Sequence, residues 1–467
     1  MRKAKIICTI GPSSNTRPVI HSLIRNGMDV ARLNFSHGDH ESHKKAIEII
    51  REGAERYKKP VAILQDLQGI KIRVGLMKNG SVMLEKGRYV LVSPGNGTGD
   101  QNRIYVSYPH IVHDARKGDR ILLSDGLIHL EVFSKLKNAL KARVIEGGIL
   151  KDKQGVNLPF RISAHSFTDK DKTDLEFGVR MGVDYVALSF VRTPDDVKRV
   201  RAWLNKRNAA IPLIAKIEKP EALSNIDGIL EEAEGIMIAR GDLGVEVAPE
   251  EVPVIQKRLI GLANKKGKVV ITATQMLESM TEHMHPTRAE ATDVANAVID
   301  GSDALMLSGE TASGKYTVEA LKMMARIIAF TEQQTNMPPA AFKSQEITGF
   351  PEAIADAACR AAEDINARFI VAFTYSGYTA RLISKFRPKT PIIAFTPRED
   401  VCRNASIFWG VIPRPIRSIS NTDEMVNEIA RSLIKEGLAN RGDSIVITAS
   451  TPVLGSGKTN LLRLLRI

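Results

Sequence analysis

The sequence has 467 residues, of which 43% are hydrophobic and 25% are charged, as is ordinary for a folded globular protein of two to four domains. Its three cysteines, Cys8, Cys359 and Cys402, are widely spaced, which argues against a disulfide framework and favours a cytoplasmic location. The first residues lead directly into a strand-like run, and no apolar run approaches membrane-spanning length. We therefore expect an intracellular protein with no signal peptide and no membrane segment.

The net charge of +13 could attract two kinds of partner, nucleic acid or small anionic substrates. Lysines and arginines are scattered among acidic residues, and the sequence contains neither a basic tract nor a nucleic-acid-binding motif. We therefore predict no nucleic-acid partner, and keep a nucleic-acid-binding protein as the non-enzymatic alternative.

Strand-like runs alternate with amphipathic helical patterns through the first 330 or so residues. The eight candidate strands are Lys5–Ile10, Asp29–Phe35, Val61–Leu67, Val183–Phe190, Pro212–Ile217, Gly235–Ala239, Val269–Ala273 and Ala304–Leu307. Eight such units predict a TIM (β/α)8 barrel, whose active site lies at the carboxyl ends of the strands. A doubly wound sheet would show the same alternation, and periodicity alone does not separate the two.

Polar residues occur at the carboxyl ends of nearly all these strands. They are Arg32, Asn34 and Ser36, predicted to share one face, for the second strand, Asp66 and Arg73 for the third, Ser189 for the fourth, Lys216 and Glu218 for the fifth, Arg240 and Asp242 for the sixth, Thr272 and Thr274 for the seventh, and Ser308 and Glu310 for the eighth. One polar strand end would be an ordinary loop, but their recurrence on successive strands predicts one convergent site.

A detour of roughly ninety residues separates the third and fourth strands, far longer than an ordinary connection. It is rich in short β-type runs separated by Gly, Asn and Asp. We predict a small inserted β domain at 71–164, placed as a lid over the catalytic face, with the barrel formed by 1–70 and 165–333.

The last part of the sequence predicts a linker at 334–350 and a second α/β domain at 351–467. Within that domain the turn Thr374–Thr379, which contains Ser376 and Gly377, lies between a strand and a helix. Such a turn suits a phosphate, although a simple helix cap is an equal alternative. The segment Ser450–Asn460 is a second turn of this kind.

Lys216 and Glu218 lie two residues apart on the fifth strand, so both side chains point to one face. A structural salt bridge at a strand end is the simplest interpretation of this pair alone. With Asp242 on the next strand, the two carboxylates could hold Mg²⁺, and Lys216 could neutralise a developing oxyanion. The pattern favours phosphoryl transfer or enolate chemistry on an acidic substrate.

Six motifs resemble those of the pyruvate kinase family: Lys5–Pro12, Ala31–Gly38, Ile214–Glu218, Ala239–Gly244, Ala273–Met280 and Pro286–Glu290. The resemblance runs from about residue 4 to the C-terminus. It implies a TIM barrel with a β-barrel lid and a C-terminal α/β effector domain, usually in a homotetramer. The implied activity is the last step of glycolysis, transfer of the phosphoryl group of phosphoenolpyruvate to ADP.

The resemblance also implies roles for individual residues. Glu218 and Asp242 would bind Mg²⁺ or Mn²⁺, while Lys216 and Arg32 would act on the transferring phosphoryl group. Thr274 would lie near the carbon that is protonated. The substrate-binding residues would be Ser189, Lys216, Gly241, Asp242 and Thr274, and those facing the nucleotide would be Pro12, Asn34, His37, Arg73, Asp125 and Lys153.

Several positions depart from the family pattern, and one of them concerns potassium. Gln154 replaces the lysine that usually precedes the glycine, Ser124 replaces an acid, and Ile70 replaces a proline. Lys71 stands where a glutamate is usual, beside the monovalent-cation position formed by Asn34, Ser36, Asp66 and Leu67. We predict that its ammonium makes K⁺ unnecessary. The alternative is that the long Lys71 side chain turns to solvent and K⁺ still binds.

The resemblance further implies that the turn containing Thr374, Ser376, Gly377 and Thr379 binds a phosphorylated allosteric effector. A different Mg²⁺-dependent barrel enzyme acting on enolates, such as an aldolase, remains an alternative, since it would share the metal site but would not need ADP.

Overall fold

The structure, a computed structural model, describes residues 2–334, 347, 349–419, 421–451 and 458–467. The first part of the chain contains β1 (Lys5–Ile10), α1 (Arg17–Asn26), β2 (Val30–Asn34), α2 (His40–Arg56) and β3 (Ala62–Asp66). These strands are buried along almost their whole length, as expected of parallel strands with helices packed outside them. Helix α2 begins after Asp39, whose carboxylate accepts the backbone N–H of Ser42.

The inserted segment forms a separate all-β lid with its own apolar core. It contains β4 (Leu76–Met77), β5 (Ser81–Leu84), β6 (Tyr89–Pro94), β7 (Thr98–Gly99), β8 (Arg103–Val106), α3 (Ile111–Asp114), β9 (Arg120–Leu123), β10 (Ile128–Lys135), β11 (Leu140–Glu146), β12 (Gly148–Lys151) and β13 (Val156–Asn157). Its main sheet has the strand order β13-β9-β10-β11-β6-β8. Buried and exposed residues alternate along β10 and β11, because one face of this sheet contacts water.

The chain then returns to the barrel. The elements are α4 (Asp169–Met181), β14 (Tyr185–Leu188), α5 (Pro194–Asn205), β15 (Leu213–Ile217), α6 (Pro220–Ser224), α7 (Ile226–Glu232), β16 (Gly235–Ala239), α8 (Arg240–Glu246), α9 (Val252–Lys265), β17 (Val269–Ala273), α10 (Arg288–Asp300), β18 (Ala304–Leu307), α11 (Gly309–Ala312) and α12 (Thr317–Gln334). Eight parallel strands close in the order β1-β18-β17-β16-β15-β14-β3-β2. The predicted TIM barrel is therefore confirmed, and the doubly wound alternative is excluded.

The predicted strands agree with the observed ones to within two residues at either end, but one consequence of the prediction is wrong. Strand β2 ends at Asn34, whereas the prediction extended it so that Ser36 shared a face with Arg32. Ser36 lies in the turn beyond the strand, and its backbone N–H is bonded to Oδ1 of Asn34. Alternation holds only within a strand, and the Asn34 side chain ends this one.

The C-terminal domain contains α13 (Phe350–Asp364), β19 (Phe369–Phe373), α14 (Tyr378–Lys385), β20 (Ile392–Thr396), α15 (Glu399–Asn404), β21 (Val411–Pro415), α16 (Thr422–Lys435), β22 (Ser444–Ala449) and β23 (Leu461–Arg466). Its sheet has the order β21-β20-β19-β22-β23, with β23 antiparallel to its neighbour. The predicted linker starts one residue early, because α12 includes residue 334. Residues 335–346 and 348 of that linker, and 452–457 of the second predicted turn, lie outside the described residues.

Buried ion pairs fasten the C-terminal domain to the amino ends of the barrel strands. Asp303, which precedes β18, pairs with Lys385 at 2.5 Å and with Arg387 at 2.8 Å. Asp184, which precedes β14, pairs with Arg403 at 2.8 Å. The C-terminal domain therefore covers the amino end of the barrel and leaves the carboxyl end to the lid. None of the helices described in the structure is long and apolar enough to cross a membrane.

Candidate active site

A cleft of about 140 Å³ lies between the carboxyl ends of the barrel strands and the lid. Barrel residues line one side and lid residues the other, among them Lys71, Asp125, Gly155, Asn157, Phe190, Arg192, Lys219 and Asp242. The predicted site and the predicted lid therefore meet at one cleft.

Lys216 is at the centre of the polar groups beside this cleft. Its buried ammonium donates to Oγ of Ser189 at 2.7 Å and pairs with Glu218 at 2.9 Å and Asp66 at 3.2 Å. Burial by itself would lower the pKa of Lys216, but the charges of Asp66 and Glu218 outweigh burial and raise it. Lys216 is therefore a fixed positive charge at neutral pH.

Asp66 joins Lys216 to Arg32, a role that the sequence analysis missed. Nε of Arg32 donates to Oδ2 of Asp66 at 2.7 Å, and a terminal nitrogen of the same guanidinium donates to Oγ1 of Thr9 at 3.0 Å. Burial opposes ionisation of Asp66, but Lys216 and Arg32 lower its pKa. In the sequence, Asp66 was recognisable only as a polar residue at the end of the third strand. The structure pairs it with Asn34 at the end of the neighbouring strand β2.

Glu218 and Asp242 form a donor set that fits a divalent cation. Glu218 is buried, and its Oε2 accepts the backbone N–H of Phe190 at 2.7 Å. Asp242 is exposed in the cleft and forms no hydrogen bond or ion pair with the residues that the structure describes. The pKa of Glu218 is raised by burial and also by the charge of Asp242. A divalent cation would relieve this repulsion.

Only two carboxylates are available to such an ion. No group of three His, Cys, Asp or Glu side chains within the described part of the chain has metal-binding geometry. Mg²⁺ is suited to this arrangement because it takes one or two carboxylates and completes its octahedron with substrate oxygens and water.

Thr274 lies in a strained turn that Arg240 stabilises. Thr274 and Gln275 both have positive φ, +66° and +55°, which is costly for residues with a Cβ. The buried Arg240 guanidinium donates to the carbonyl oxygens of both residues, at 2.7 Å and 3.1 Å. Oγ1 of Thr274 accepts the backbone N–H of Gly241 at 2.8 Å. The predicted substrate-binding residues Gly241 and Thr274 are thus in direct contact.

The predicted nucleotide residues lie on both sides of the cleft. Arg73 donates to the carbonyl oxygen of Lys153 at 2.8 Å, so the outgoing connection to the lid contacts the loop that returns. Asp125 lines the cleft in the lid. Pro12 follows β1 and Asn34 ends β2.

His37 follows in the turn after β2, and its carbonyl oxygen contacts the ring of His43. Burial and the nearby charges of Lys71 and Arg73 lower the pKa of His37.

Two departures from the family pattern contact each other in the lid. Oγ of Ser124 donates to Oε1 of Gln154 at 2.5 Å, and the same oxygen accepts the backbone N–H of Lys151. Gln154 is therefore used to hold the lid turn together. Lys153 is exposed beside it, with a positive φ of +55°.

Lys71, which the sequence analysis placed beside the predicted monovalent-cation position, lines the cleft. It is exposed at the cleft and forms no hydrogen bond or ion pair with any residue described in the structure. The carbonyl oxygen of Leu67 accepts a hydrogen bond from Oγ of Ser189 at 2.7 Å. Asp66 forms ion pairs with Arg32 and Lys216. Burial and the charge of Arg73 lower the pKa of Lys71, whereas Asp242 opposes them.

The predicted effector residues are remote from this cleft, in the C-terminal domain. Oγ1 of Thr374 accepts the backbone N–H of Gly377, which has a φ of +82° and precedes α14. Oγ1 of Thr379 is 2.8 Å from Oγ1 of Thr459, in the other turn that the sequence singled out. Ser376 is exposed.

Three polar residues beside the site escaped the sequence analysis: Thr9, Lys219 and Glu246. Arg240 was included there only as one of the polar residues at the end of the sixth strand. Their partners are distant in sequence, for example Asn157 and Glu246, which are 89 residues apart. No local pattern encodes such contacts.

Comparisons with known proteins agree with this geometry. The family model "Pyruvate kinase, barrel domain" matches residues 1–321, and "Pyruvate kinase, alpha/beta domain" matches residues 352–465. Pyruvate kinases of Geobacillus stearothermophilus and of Staphylococcus aureus strain MRSA252 are each 46% identical to the chain, covering 99% of it and 80% of their own length.

A solved structure of a pyruvate kinase from Cryptosporidium parvum superposes with a TM-score of 0.95 at 38% identity, covering 100% of this chain and 96% of that one. Both the sequence and the three-part architecture are therefore shared with these enzymes. The chain belongs to the pyruvate kinase family of phosphotransferases.

Proposed function

We propose that the protein catalyses Mg²⁺-dependent transfer of the phosphoryl group of phosphoenolpyruvate to ADP, giving pyruvate and ATP. The observation that carries the proposal is the buried Lys216 ammonium, held by Ser189, Asp66 and Glu218. The Asp242 carboxylate, which has no partner among the residues that the structure describes, adds a second negative charge to this cleft. Transfer of this group needs concentrated positive charge and no protein nucleophile, which is what these residues offer.

Each charged group has a distinct task in this mechanism. Glu218 and Asp242 would hold Mg²⁺ or Mn²⁺, which when bound neutralises phosphate and carboxylate oxygens of the substrate. Lys216 stabilises the negative charge that develops on the enolate oxygen as the phosphoryl group departs. Arg32, fixed by Asp66 and Thr9, contacts the transferring group.

Thr274 lies where the methylene carbon of the enolate would be protonated. Its hydroxyl donates to the carbonyl oxygen of Ala273 at 2.6 Å and accepts the N–H of Gly241. A proton would therefore reach the carbon through a water molecule that this hydroxyl orients. The Gly241–Asp242 backbone at the start of α8 would bind the substrate carboxylate.

The nucleotide would be bound between the barrel and the lid, by Pro12, Asn34, His37, Arg73, Asp125 and Lys153. Closure of the lid would exclude water from the phosphoryl group during its transfer. The pairing of Gln154 with Ser124 supports Lys153 as the lid cation available to the nucleotide phosphates.

We further propose that the enzyme needs no K⁺. Lys71 places a positive charge at the cleft, where it interacts with the Lys216 ammonium that contacts Asp66. Like charges at close range disfavour a further monovalent cation beside Asp66. The exposure of Lys71 leaves the ammonium free to turn toward the phosphate once substrates are bound.

A phosphorylated effector would bind at the turn containing Thr374, Ser376, Gly377 and Thr379. The hydroxyl contact between Thr379 and Thr459 supports this proposal, because it brings both hydroxyl-rich turns to one place. We also propose a homotetramer located in the cytoplasm, by similarity to the family.

One assay tests the catalytic proposal. Purified protein is incubated with phosphoenolpyruvate and Mg²⁺, with and without ADP, and pyruvate is measured. We expect pyruvate only when ADP and the metal are both present. Pyruvate formation independent of ADP would indicate a different enolate enzyme, and no turnover would contradict the proposal.

A further inference from the structure

Lys219 and Glu246 form a buried ion pair between the metal-binding carboxylates and the lid. The ammonium of Lys219 is 2.5 Å from Oε1 of Glu246, and the two side chains are only 9% and 1% exposed. Lys219 directly follows Glu218 in the chain, and Glu246 lies one helical turn after Asp242 on α8. Both members of the pair are therefore tied to the residues that would hold the metal.

The same two side chains contact the lid. Nδ2 of Asn157, in β13, donates to Oε1 of Glu246 at 3.1 Å. The ammonium of Lys219 also donates to the carbonyl oxygen of Leu158 at 3.2 Å. Leu158 is 1% exposed and belongs to the apolar core of the lid, so these contacts reach an ordered part of that domain.

A second contact joins the lid to helix α8. A Cβ on Gly126 would lie 3.3 Å from Cγ1 of Val245, so the turn that carries Asp125 packs against the residue before Glu246. Strand β13 pairs with β9, which leads into that turn. The lid therefore rests on α8 both through its returning strand and through the turn that faces the nucleotide.

We propose that Lys219, Glu246 and Asn157 form a latch that sets the position of the lid relative to Glu218 and Asp242. The inference rests on the proposed function, because it assigns Asp125 and Lys153 of the lid to ADP. All three latch residues are positioning residues. The ion pair between Lys219 and Glu246 fixes the end of helix α8 relative to the end of β15. The hydrogen bonds to Asn157 and Leu158 then hold the lid against that pair.

The latch predicts unequal effects on the two substrates. The groups assigned to phosphoenolpyruvate, including Lys216, Gly241 and Thr274, all belong to the barrel, whereas ADP depends on the lid as well. Lys219→Met should therefore raise KM for ADP about tenfold, the usual scale for loss of a residue that orients a binding site. KM for phosphoenolpyruvate should change less than twofold, and Lys219→Arg should restore most of the loss.

Stability must be separated from positioning, because Lys219→Met leaves the Glu246 carboxylate buried without its cation. Combining Lys219→Met with Glu246→Gln removes that charge, so the double variant should recover the unfolding midpoint but keep the high KM for ADP. Asn157→Ala, which leaves the ion pair intact, should raise KM for ADP with little change in the midpoint.

A matched control is available at the opposite end of the barrel. Lys385 and Asp303 also form a buried pair at 2.5 Å, with side chains 2% and 1% exposed, but they touch no lid residue among their described contacts. Lys385→Met should lower the unfolding midpoint without changing the ratio of the two KM values.

The lid can also be observed without substrates, by hydrogen–deuterium exchange of residues 154–160. Exchange there should be faster in Lys219→Met and in Asn157→Ala than in the wild-type protein, and unchanged in Lys385→Met. Unchanged exchange, or KM values that rise equally for both substrates, would overturn the latch. If the wild-type protein produced no pyruvate, the proposed function would fail, while the exchange comparison would still decide whether the latch exists.

Discussion

At the scale of single residues, the site is a cluster of compensating charges. Arg32 and Lys216 surround Asp66, and Lys216 also neutralises Glu218. Each of these charges would be expensive to bury alone, and together they satisfy one another. Asp242 has no partner among the described residues. Its carboxylate therefore leaves the cluster with one more negative than positive charge.

Replacing Lys216 with Met should lower kcat roughly a hundredfold to a thousandfold while leaving the fold intact. In the proposed mechanism this ammonium stabilises the developing oxyanion, and methionine offers no charge in its place. The measurement is pyruvate formation at saturating substrates, with circular dichroism to confirm folding. A folded variant with near wild-type kcat would contradict the mechanism.

Lys71 provides the test of potassium dependence. Turnover of the wild-type protein should be the same with tetramethylammonium as the only monovalent cation and with KCl at equal ionic strength. Lys71→Glu should require K⁺, because the introduced carboxylate lacks a positive neighbour. Strong activation of the wild-type protein by K⁺ would show that Lys71 does not replace the ion.

Asp29 makes stability depend on pH. Burial would raise its pKa, but Arg2, Lys59 and Lys5 lower it from 3.8 to about 2. Because the folded pKa lies below the unfolded one, the carboxylate contributes stability above about pH 4, and this is lost as pH falls toward 2. The contribution is roughly 2 kcal/mol at neutral pH, at 1.36 kcal/mol per pKa unit.

Asp29→Asn should therefore lower the free energy of unfolding by about that amount at pH 7, and by clearly less at pH 3. Urea denaturation at the two pH values measures the difference. An equal destabilisation at both would show that the ionised carboxylate is not its source.

At the scale of elements, the function of each strand depends on which end of it is considered. The carboxyl ends of β2, β3, β15 and β16 supply the charges that the proposed mechanism uses, whereas the residues just before β14 and β18 bind the C-terminal domain. In the C-terminal domain, the turn between β19 and α14 also connects the carboxyl end of a strand to the start of a helix. Its polar side chains are hydroxyls, whereas those at the barrel strand ends are mainly charged.

The Thr374–Thr379 turn makes a prediction about regulation. A sugar phosphate or nucleoside monophosphate should lower the apparent KM for phosphoenolpyruvate, with a coupling of about 1–3 kcal/mol. Ser376→Asp should remove this response, because its carboxylate repels phosphate. Asn440→Asp adds the same charge at an exposed position of the domain and should leave the response intact. A response that Ser376→Asp does not change would place the effector elsewhere.

At the scale of the whole molecule, the barrel lies between two domains with different attachments. The lid contacts the catalytic end through the residues of the proposed latch and through the packing of Gly126 against Val245, and the C-terminal domain covers the opposite end. Nζ of Lys5 donates to the carbonyl oxygen of Val411 at 2.6 Å, so even the first barrel strand is joined to that domain. Effector binding would thus act on the barrel from the end opposite to the chemistry.

Lys385→Met should weaken this attachment and lower the free energy of unfolding by up to about 3 kcal/mol, the lower end of the cost of an uncompensated buried charge, because Asp303 would keep Arg387 as a partner. Lys435→Met, at an exposed position of the same domain, should change it by less than about 0.5 kcal/mol. Chemical denaturation of the two variants measures both values. Equal stabilities would show that Lys385 does not contribute to docking.

The sequence alone determined the eight alternating strand–helix units, the inserted lid and most of the polar strand ends, whereas closure of the eight strands into a barrel was settled by the structure. Buried parallel strands are continuous apolar runs, and a charge at the end of such a run is conspicuous wherever it occurs. These are local signals, and Lys216, Glu218 and Asp242 were found by them. The identity of the substrate came from the resemblance, since no local signal encodes it.

Only the tertiary structure decided which of these charges pair and which remain available. It showed Asp66 between Arg32 and Lys216, and it joined Lys219 to Glu246 and Lys385 to Asp303. Each of those contacts joins residues from separate elements of the chain. Their pairing follows from the closure of the barrel and the docking of two domains on its ends, and periodicity along the chain carries no information about either.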